Sequence, residues 1–422
     1  MEPEYLQKTA HNYALQGKSF FLTGSAGTGK TYTLRSIIKL LRDNKKRVAV
    51  TACTDIALQQ FDSEAKTLHS FAGYSFHDGI FLSSRSRWLY FDVLIIDEIS
   101  MLSSVDFKEI EKSAKIARGN NSPMGGIQVI GCGDFFQLPP TYNDGQKPGR
   151  KGFTKQGTNA IKSQYRNKAA EYAFYASSWR TVFPIMVNLT KVHRQKHQDF
   201  IEILNRIRSD EFLKGVHEYL IENCGTTFNP DVPYIFSTSQ KVDKLNQHKS
   251  DQITANFIEY KDKDRKTIKL AVGVPVIGLV NEGQIRNGSR GVVVGFEYNN
   301  QPYDLECLEP GTKHPDEVNP VIKFELSDDP MTIKMSNTDR HPISQGWAMT
   351  IDKAQGMTFE SLNVDVSNCN FPGQLYVALS RVPDPRKLNL AGYNDRLVKR
   401  GEFVSLFYES FEPIPRIPGD PE

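Results

Sequence analysis

Residues 24–31 read GSAGTGKT and fit the pattern G-x-x-x-x-G-K-[ST] of a phosphate-binding loop. The apolar segment 19–23 comes directly before the loop and is typical of a β-strand. Behind the loop, apolar residues recur at the spacing of an amphipathic helix. These are Leu34, Ile37, Ile38 and Leu41. A loop between a strand and a helix predicts a nucleotide site, and a chance glycine-rich turn is the alternative.

The residue types of this loop suit a nucleotide triphosphate. Glycines let backbone N–H groups approach phosphate oxygens, and the start of the helix adds positive potential. Lys30 is expected to contact the β- and γ-phosphates, and the Thr31 hydroxyl to ligate Mg²⁺. We therefore predict ATP and Mg²⁺ as cofactors. The predicted nucleotide-binding residues of the loop are Gly24, Ser25, Ala26, Gly27, Thr28, Gly29, Lys30 and Thr31.

Length and composition set broad limits on this protein. A chain of 422 residues with 39% hydrophobic and 24% charged residues predicts a globular protein of two or three domains. Because the net charge is only +3, contact with nucleic acid would need local basic patches. The five cysteines form no C-x-x-C pair, which favours a reducing compartment. No signal peptide or membrane-spanning run is recognised, so we expect an intracellular protein without membrane contact.

Buried strands are predicted at 47–52, 93–96 and 127–131, with helices between them. This alternation is typical of a doubly wound α/β domain, in which ligands bind at the carboxyl ends of the strands. The strand at 93–96 ends in Asp97 and Glu98. One of these carboxylates is expected to hold Mg²⁺ and the other to polarise water, whereas a solvent-facing pair is the alternative.

Gln137 follows the strand at 127–131 and can orient water or sense the γ-phosphate, or it can simply cap local backbone. Further along, 141–170 carries seven cations without an intervening acid, and forms either a basic binding loop or a solvated segment. A second α/β pattern is predicted to begin near residue 186. Between 265 and 340 the helix signal gives way to short strands and turns, which predicts a small β-barrel insertion.

Six separated blocks of the sequence carry a family resemblance. They appear in the same order as in the Pif1-like helicases of superfamily 1B, which are related to the RecD and Dda helicases. The blocks are LIIDEISM (94–101), SPMGGIQVIGCGDFFQLPP (122–140), LTKVHRQ (189–195), NGSRGVV (287–293), IDKAQGMTF (351–359) and GQLYVALSRV (373–382).

The resemblance implies two RecA-like P-loop NTPase domains, built from parallel sheets flanked by helices, with a small SH3-like β-barrel insertion. The implied boundaries are domain 1A at 1–190, with a small excursion at about 74–92 and the basic insertion; domain 2A at 191–264 and 341–411; domain 2B at 265–340; and a flexible tail at 412–422.

The resemblance also implies roles for single residues. Gln7 matches a glutamine that reads the adenine edge, and Gly356 matches a nucleotide contact. Arg194 and Arg381 match arginine fingers supplied by the second RecA-like domain. The implied catalytic set is Lys30, Glu98, Gln137, Arg194 and Arg381, and the implied metal ligands are Thr31 and Asp97.

Other matched positions line the single-strand track in the family, where hydroxyls, amides and a lysine suit contacts to phosphate. They are Thr54, His69, Phe71, Asn287, Thr350, Lys353 and Gln355. Nearby aromatic residues could stack on bases or separate strands, or could form a small local core. These are Phe76, Phe81, Trp88 and Tyr90. Asp352 stands where the family usually has a histidine.

As a whole, the resemblance implies an ATP-dependent DNA helicase that moves 5′→3′ on single-stranded DNA and unwinds duplex in replication, repair or recombination. The expected partners are single-stranded and forked DNA, with G-quadruplexes and RNA–DNA hybrids left open, and the expected state is a monomer. The alternatives are a DNA-stimulated ATPase or remodeller without processive unwinding, a Dda- or RecD-type helicase, and a catalytically silent DNA-binding module.

Overall fold

The computed structural model describes residues 5–62, 64–75, 79–80, 85–140, 172–211, 213–254, 256–263, 267–280, 287–305, 314–315, 317–325, 327–335, 341–399, 401 and 403–412. The basic insertion at 141–170, Phe76 and Phe81 lie outside these residues, as does most of the predicted tail. Packing divides the chain into two compact units. The first comprises Met1–Tyr219, Asn370–Asp384 and Asp395–Glu422, and the second comprises Leu220–Cys369 and Pro385–Asn394.

The first unit contains a six-stranded parallel sheet with the spatial order β3-β2-β6-β7-β1-β8. Two further short strands, β4 and β5, pair with each other. Strands predicted from apolar runs are buried along their whole length, as expected for a parallel sheet covered on both faces. The strands are β1 Phe20–Gly24, β2 Val48–Ala52, β3 Lys66–Thr67, β4 Tyr74–Ser75, β5 Gly79–Ile80, β6 Val93–Asp97, β7 Gln128–Cys132 and β8 Ile185–Leu189.

The strand near residue 186 corrects one expectation. It was predicted to begin a second α/β pattern, but β8 pairs in parallel with β1, with Phe20 opposite Ile185 and Gly24 opposite Leu189. The apolar run therefore completes the first sheet. Periodicity indicates a strand but does not give its partner, which depends on pairing over a long sequence separation.

Helices cover the sheets and connect the strands. They are α1 Tyr5–Leu15, α2 Lys30–Asp43, α3 Asp55–Leu58, α4 Leu68–Ala72, α5 Arg85–Tyr90, α6 Ser104–Arg118, α7 Trp179–Val182, α8 Gln198–Ser209, α9 Val216–Asn223, α10 Ser239–Asp251, α11 Gln374–Leu379 and α12 Val404–Glu409. Both ends of α6 are capped. The Ser103 hydroxyl accepts a hydrogen bond from the Asp106 N–H at 3.1 Å, and Gly119 ends the helix in a left-handed conformation with φ 59°.

An aromatic core fixes the C-terminal part of the chain onto the first unit. Phe407 of α12 packs against Phe21, Phe135 and Trp179, with ring centroids 5.2–6.2 Å apart. Aromatic side chains bury large apolar areas, so this contact holds α12 beside the carboxyl ends of β1 and β7. The chain consequently returns to the first sheet after passing through the second unit.

The second unit combines a parallel sheet with antiparallel ones. Four strands form a parallel sheet in the order β18-β9-β19-β20, and β10 pairs with β11. The remaining strands form an antiparallel sheet in the order β16-β15-β13-β12-β17, with β14 on β13. The strands are β9 Tyr234–Phe236, β10 Ile258–Lys261, β11 Thr267–Leu270, β12 Pro275–Gly278, β13 Arg290–Tyr298, β14 Gln301–Pro302, β15 Asn319–Phe324, β16 Met331–Thr332, β17 Ile343–Gln345, β18 Ala348–Thr350, β19 Leu362–Asp365 and β20 Leu388–Ala391.

The antiparallel sheet matches the β-rich stretch predicted between 265 and 340. In β15, buried and half-buried residues alternate, which is the pattern of a strand with one face on a core. Its closure as an SH3-like barrel stays a prediction. Throughout the residues that the structure describes, every helix is too short or too polar to cross a lipid bilayer.

Candidate active site

The phosphate loop, residues 24–31, lies between β1 and α2 as predicted. Gly27 and Gly29 have φ of +84° and +83°, a left-handed conformation that favours glycine. A Cβ atom on Gly24 would lie 2.5 Å from the carbonyl oxygen of Leu189. The loop backbone therefore requires glycine both for its conformation and for its close contact with β8.

Within the loop, polar side chains hold the backbone in place. The Lys30 ammonium donates to the carbonyl oxygens of Gly24 and Ser25, with Nζ–O distances of 2.8 and 3.1 Å. The buried Thr28 hydroxyl donates to the Ser25 carbonyl at 2.9 Å. Thr31 is half-buried in the first turn of α2. The cation and the hydroxyl predicted to contact phosphate and metal thus lie at the mouth of the same loop.

Two acids lie at the carboxyl end of β6. Asp97 is buried, and its Oδ1 accepts a hydrogen bond from the Glu98 N–H at 2.9 Å. Glu98 has a φ of +51°, an uncommon conformation for a residue with a side chain. Burial, and then the charge of Glu98, raise the pKa of Asp97 to about 7, while Lys30 acts in the opposite direction. The Asp97 charge is therefore favoured when a further cation is present.

Both predicted arginines lie beside the phosphate loop within the first unit. The His193 N–H donates to the Gly27 carbonyl at 2.8 Å, and a Cβ on Gly27 would lie 2.6 Å from the Cβ of Arg194. Arg194 Nη1 donates to the Ser380 carbonyl at 3.0 Å, which connects it to the neighbour of Arg381. The resemblance implied that a second RecA-like domain supplies these arginines, and that origin stays a prediction.

Arg381 is almost completely buried, with 1% of its surface exposed. Its Nε donates to the Val377 carbonyl at 2.7 Å, and its Nη2 donates to the Ser380 hydroxyl at 2.7 Å. Burial, followed by the charge of Arg194, lowers the pKa of Arg381 to about 9. Two guanidinium groups held together in a buried site favour an anion between or beside them.

Gln137 lies in the loop after β7 and is buried. Its Nε2 donates to Asp134 Oδ2 at 3.2 Å. A Cβ on Gly373, which has a φ of +70°, would lie 2.2 Å from the Gln137 carbonyl oxygen. The glycine before α11 thus allows that segment to pack directly on the backbone of Gln137.

Two polar residues that the sequence patterns do not single out also belong to this site. Gln195 Nε2 donates to the carbonyls of Ser380 and Val382, at 3.2 and 3.0 Å, and so holds both neighbours of Arg381. The Tyr376 hydroxyl accepts a hydrogen bond from the loop N–H of Ala26 at 2.7 Å. Both residues lie in blocks that carried the family resemblance, and for Tyr376 a polar group inside an apolar segment was the available signal.

Two further residues were missed because they lie outside all six blocks. Arg208 of α8 forms an ion pair with Asp134, with an Nη2–Oδ1 distance of 2.7 Å. The Tyr408 hydroxyl of α12 hydrogen bonds with the Thr23 hydroxyl at 2.9 Å. Only the tertiary structure brings these side chains to the carboxyl edge of the first sheet.

The other two predicted nucleotide contacts lie in different units. Gln7 of α1 is buried, and its Nε2 is 3.6 Å from the position of a Cβ on Gly29. It therefore lies beside the phosphate loop. Gly356 is exposed, has a φ of +82°, and belongs to the second unit.

Predicted DNA contacts of the first unit differ in exposure. Thr54 caps α3, with its hydroxyl accepting from the Ala57 N–H at 3.3 Å, and His69 is half-buried on α4. Phe71 is buried against Trp88, with ring centroids 4.9 Å apart. The local-core alternative therefore holds for Trp88, and Phe71 lies in the same core instead of on a stacking surface. Tyr90 is 57% exposed.

Four predicted DNA contacts lie in the second unit. Asn287 and Thr350 are half-buried, Lys353 is exposed and Gln355 is buried. Asp352, which replaces the family's histidine, is half-buried, and burial raises the pKa of its carboxyl group.

Comparison with known proteins decides the family. The family model described as "PIF1-like helicase" matches residues 5–217. This chain belongs to the PIF1-like helicase family. The ATP-dependent DNA helicase PIF1 of Xenopus laevis is 29% identical over 96% of this chain, and that of Homo sapiens is 30% identical over 93%. The chain spans 64% and 61% of the length of these two relatives.

Solved structures of PIF1-like helicases share the fold over nearly the whole chain. The crystal structure of Pif1 helicase from Candida albicans has a TM-score of 0.77 and 28% identity, covering 97% of this chain and 99% of that one. A Bacteroides Pif1 bound to single-stranded DNA has a TM-score of 0.72 and 26% identity, covering 97% and 96%. The predicted fold class, α/β with parallel sheets flanked by helices, is confirmed.

Proposed function

We propose that this PIF1-like chain is an ATP-dependent DNA helicase that moves 5′→3′ along single-stranded DNA and separates duplex DNA. One observation carries this proposal. Arg194 and Arg381 lie beside the phosphate loop, within the same compact unit as Lys30 and the Asp97–Glu98 pair. Cations around one phosphate site are what phosphoryl transfer requires, because negative charge spreads over the transferring group.

Each residue has a distinct role in the proposed hydrolysis. Lys30 neutralises the β- and γ-phosphates, and Arg194 and Arg381 stabilise the charge on the transferring phosphoryl group. Glu98 polarises the attacking water, and Gln137 orients it. Gln7 contacts the base, and Gln195 keeps the segment around Arg381 in place.

The residues at the end of β6 and the start of α2 fit Mg²⁺. The Thr31 hydroxyl and the Asp97 carboxylate are hard oxygen ligands, and Mg²⁺ usually combines one or two such ligands with water and substrate phosphates. The raised pKa of Asp97 fits a buried carboxylate that becomes charged when a cation is present. Thr31 and Asp97 would hold the ion, whose charge would help to neutralise the negative charge that develops during phosphoryl transfer. In the described part of the chain, no cluster of three or more His, Cys, Asp and Glu offers a separate metal site.

The nucleic-acid side of the proposal draws on the relatives. One Bacteroides Pif1 structure, 25% identical, holds ADP-AlF3 with single-stranded DNA. A second Pif1 structure, also 25% identical, concerns the unwinding of forked duplex DNA by two coordinating Pif1 helicases. We extend binding of single-stranded and forked DNA to this chain, through Thr54, His69, Asn287, Thr350, Lys353 and Gln355. The 5′→3′ direction rests on the family resemblance.

Several finer features belong to the same proposal. We propose the two RecA-like domains and the 265–340 insertion with the boundaries given above, an intracellular location, and a role in replication, repair or recombination. G-quadruplexes and RNA–DNA hybrids are further substrates to compare with the fork, and the monomer is the proposed state on single-stranded DNA.

Unwinding of partial duplexes with either a 5′ or a 3′ single-stranded tail tests the proposal. With ATP and Mg²⁺, the wild-type chain is expected to separate the 5′-tailed duplex and to leave the 3′-tailed duplex intact. Lys30→Ala should abolish strand separation, whereas Lys39→Ala, on the exposed face of the same helix, should retain it.

The outcomes separate the alternatives. DNA-stimulated ATP hydrolysis without strand separation on either substrate would support the ATPase or remodeller instead. Separation of the 3′-tailed duplex alone would contradict the proposed polarity. Full activity of Lys30→Ala would contradict the nucleotide site itself.

A further inference from the structure

The ion pair between Arg208 and Asp134 is buried at the carboxyl edge of the first sheet. Asp134 is fully buried, and the Arg208 side chain is 17% exposed. Two parallel hydrogen bonds join them, from Nε to Oδ2 at 3.1 Å and from Nη2 to Oδ1 at 2.7 Å. Such a two-pronged arrangement fixes the orientation of the carboxylate as well as its position.

The same carboxylate binds the loop that carries Gln137. Oδ1 accepts from the Phe136 N–H and Oδ2 accepts from Gln137 Nε2, each at 3.2 Å. A charged carboxylate only accepts hydrogen bonds, so it selects the NH₂ end of the Gln137 amide. The amide oxygen, Oε1, is consequently the end directed away from Asp134. An amide oxygen is the group that can accept a hydrogen bond from an attacking water molecule.

Aromatic rings restrict the guanidinium group from the other side. Phe136 and Tyr408 stack with ring centroids 5.1 Å apart and an interplanar angle of 7°. The Arg208 guanidinium carbon lies 4.3 Å from the centroid of Phe136. Tyr408 in turn bonds to Thr23, the residue before the phosphate loop. The ion pair is therefore held between α8, α12 and the ends of β1 and β7.

We propose that Arg208 is a positioning residue for ATP hydrolysis: through Asp134 it holds the Gln137 amide with Oε1 directed toward the attacking water. Arg208 contacts neither the nucleotide nor the water in this arrangement. The inference rests on the proposed role of Gln137 in water orientation. It adds a residue of α8 that lies outside every sequence block used to recognise the family.

The first test compares two arginines of the same helix. Arg208→Gln is expected to lower kcat for DNA-stimulated ATP hydrolysis by about 10- to 100-fold, because a small misplacement of a water-orienting group has effects of this size. KM for ATP and the affinity for a fluorescent ADP analogue should stay unchanged. The matched control is Arg206→Gln, which removes a more exposed ion pair with Glu202 on the same helix. This variant should retain the wild-type kcat. A wild-type kcat for Arg208→Gln would overturn the proposal.

The second test asks whether Arg208 acts through Gln137. If it does, Gln137→Ala and the double variant Gln137→Ala/Arg208→Gln should have the same kcat, since the positioned group is already absent. A further loss by the full factor of Arg208→Gln would overturn the inference and leave the role of Gln137 intact. A wild-type kcat for Gln137→Ala would overturn both.

A conservative variant keeps the tests decisive if Arg208→Gln does not fold. Arg208→Lys retains the charge but loses the two-pronged geometry, so we expect a kcat between those of the wild type and Arg208→Gln, with unchanged nucleotide affinity. The same comparison in the Gln137→Ala background should again show no further loss. A purely structural role would lower the unfolding temperature of Arg208→Lys and leave its kcat per folded molecule at the wild-type value, which would contradict the proposal.

Discussion

The two sets of predicted functional residues differ in how the structure holds them. On the nucleotide side, Lys30, Asp97 and Arg381 have defined partners around the carboxyl edge of the first sheet. On the nucleic-acid side, Lys353 is exposed and Phe71 is buried in a local core. Buried charges require nearby partners, and this requirement fixes their positions. Surface side chains can contact phosphate in many arrangements, so a sequence motif predicts their positions less accurately.

The largest expected effect is a loss of ATP hydrolysis when the buried Arg381 of the nucleotide site is replaced. Arg381→Ala should lower kcat for ATP hydrolysis by about 10³-fold, the lower end of the range for arginine fingers. Binding of single-stranded DNA should stay unchanged. Steady-state hydrolysis and fluorescence anisotropy measure the two properties, with the exposed Arg386→Ala as the control. Loss of DNA binding with retained hydrolysis would place Arg381 on the nucleic-acid side of the comparison.

The next effect concerns stability and its dependence on pH. Burial raises the pKa of Asp134, but Arg208, together with Lys30 and the hydrogen bond from Gln137, lowers it below the ordinary value. A carboxyl with a lowered folded-state pKa stabilises the protein above the unfolded-state pKa, about 3.9, and that stability is lost as pH falls. Arg208→Gln should therefore lower the free energy of unfolding by about 3–5 kcal/mol at pH 7, with a smaller difference from wild type below about pH 4.

Urea unfolding at several pH values measures this difference. Arg206→Gln, which removes an exposed pair, should cost about 0–1 kcal/mol at every pH. Equal, pH-independent losses for the two variants would contradict the distinction between buried and exposed charge.

A smaller loss of stability is expected when a glycine is replaced by alanine, and two such variants distinguish backbone strain from steric crowding. Gly17→Ala places a side chain in a left-handed conformation with no atom within 4 Å, and should cost about 1–2 kcal/mol. Gly27→Ala has similar strain but brings Cβ to 2.6 Å from that of Arg194, so it should cost about 1–3 kcal/mol more. Thermal unfolding of the two variants tests this order, and equal losses would show that Arg194 does not pack tightly on the loop.

The smallest effect lies on the nucleic-acid side. If Lys353 contacts one phosphate of single-stranded DNA, Lys353→Ala should reduce the slope of log affinity against log salt by about 0.7. The value of kcat at saturating DNA should stay at the wild-type level. Lys261→Ala, which removes an exposed lysine paired with Glu259, is the control and should leave the slope unchanged. An unchanged slope for Lys353→Ala would remove Lys353 from the proposed DNA contacts.

Local sequence patterns correctly predicted the secondary-structure elements around the phosphate loop. The loop at 24–31 and the strand ending in Asp97 both follow from local sequence, namely the glycine pattern of the loop and the apolar run of the strand. The partner of β8 and the Arg208–Asp134 pair did not follow. Both join segments far apart in the sequence, 165 residues for Phe20 and Ile185 and 74 residues for the ion pair. Local patterns carry no information on such pairs.

Two aromatic residues of α5 also show that local sequence does not determine which side chains are buried. Trp88 and Tyr90 are two residues apart on α5, yet the first is fully buried and the second is 57% exposed. Which one packs against Phe71 depends on where α5 rests on α4, and a short helix of six residues has too few turns to show a clear apolar face. Sequence therefore left core and stacking surface as alternatives.

One measurement tests the central claim most directly: ATP hydrolysis with and without single-stranded DNA by the wild type, Lys30→Ala and Lys39→Ala, at equal concentrations of folded protein. The account predicts hydrolysis that DNA stimulates in the wild type and in Lys39→Ala, and background hydrolysis alone in Lys30→Ala. Stimulated hydrolysis in Lys30→Ala would contradict it, because the lysine at the loop would then not serve the reacting phosphates.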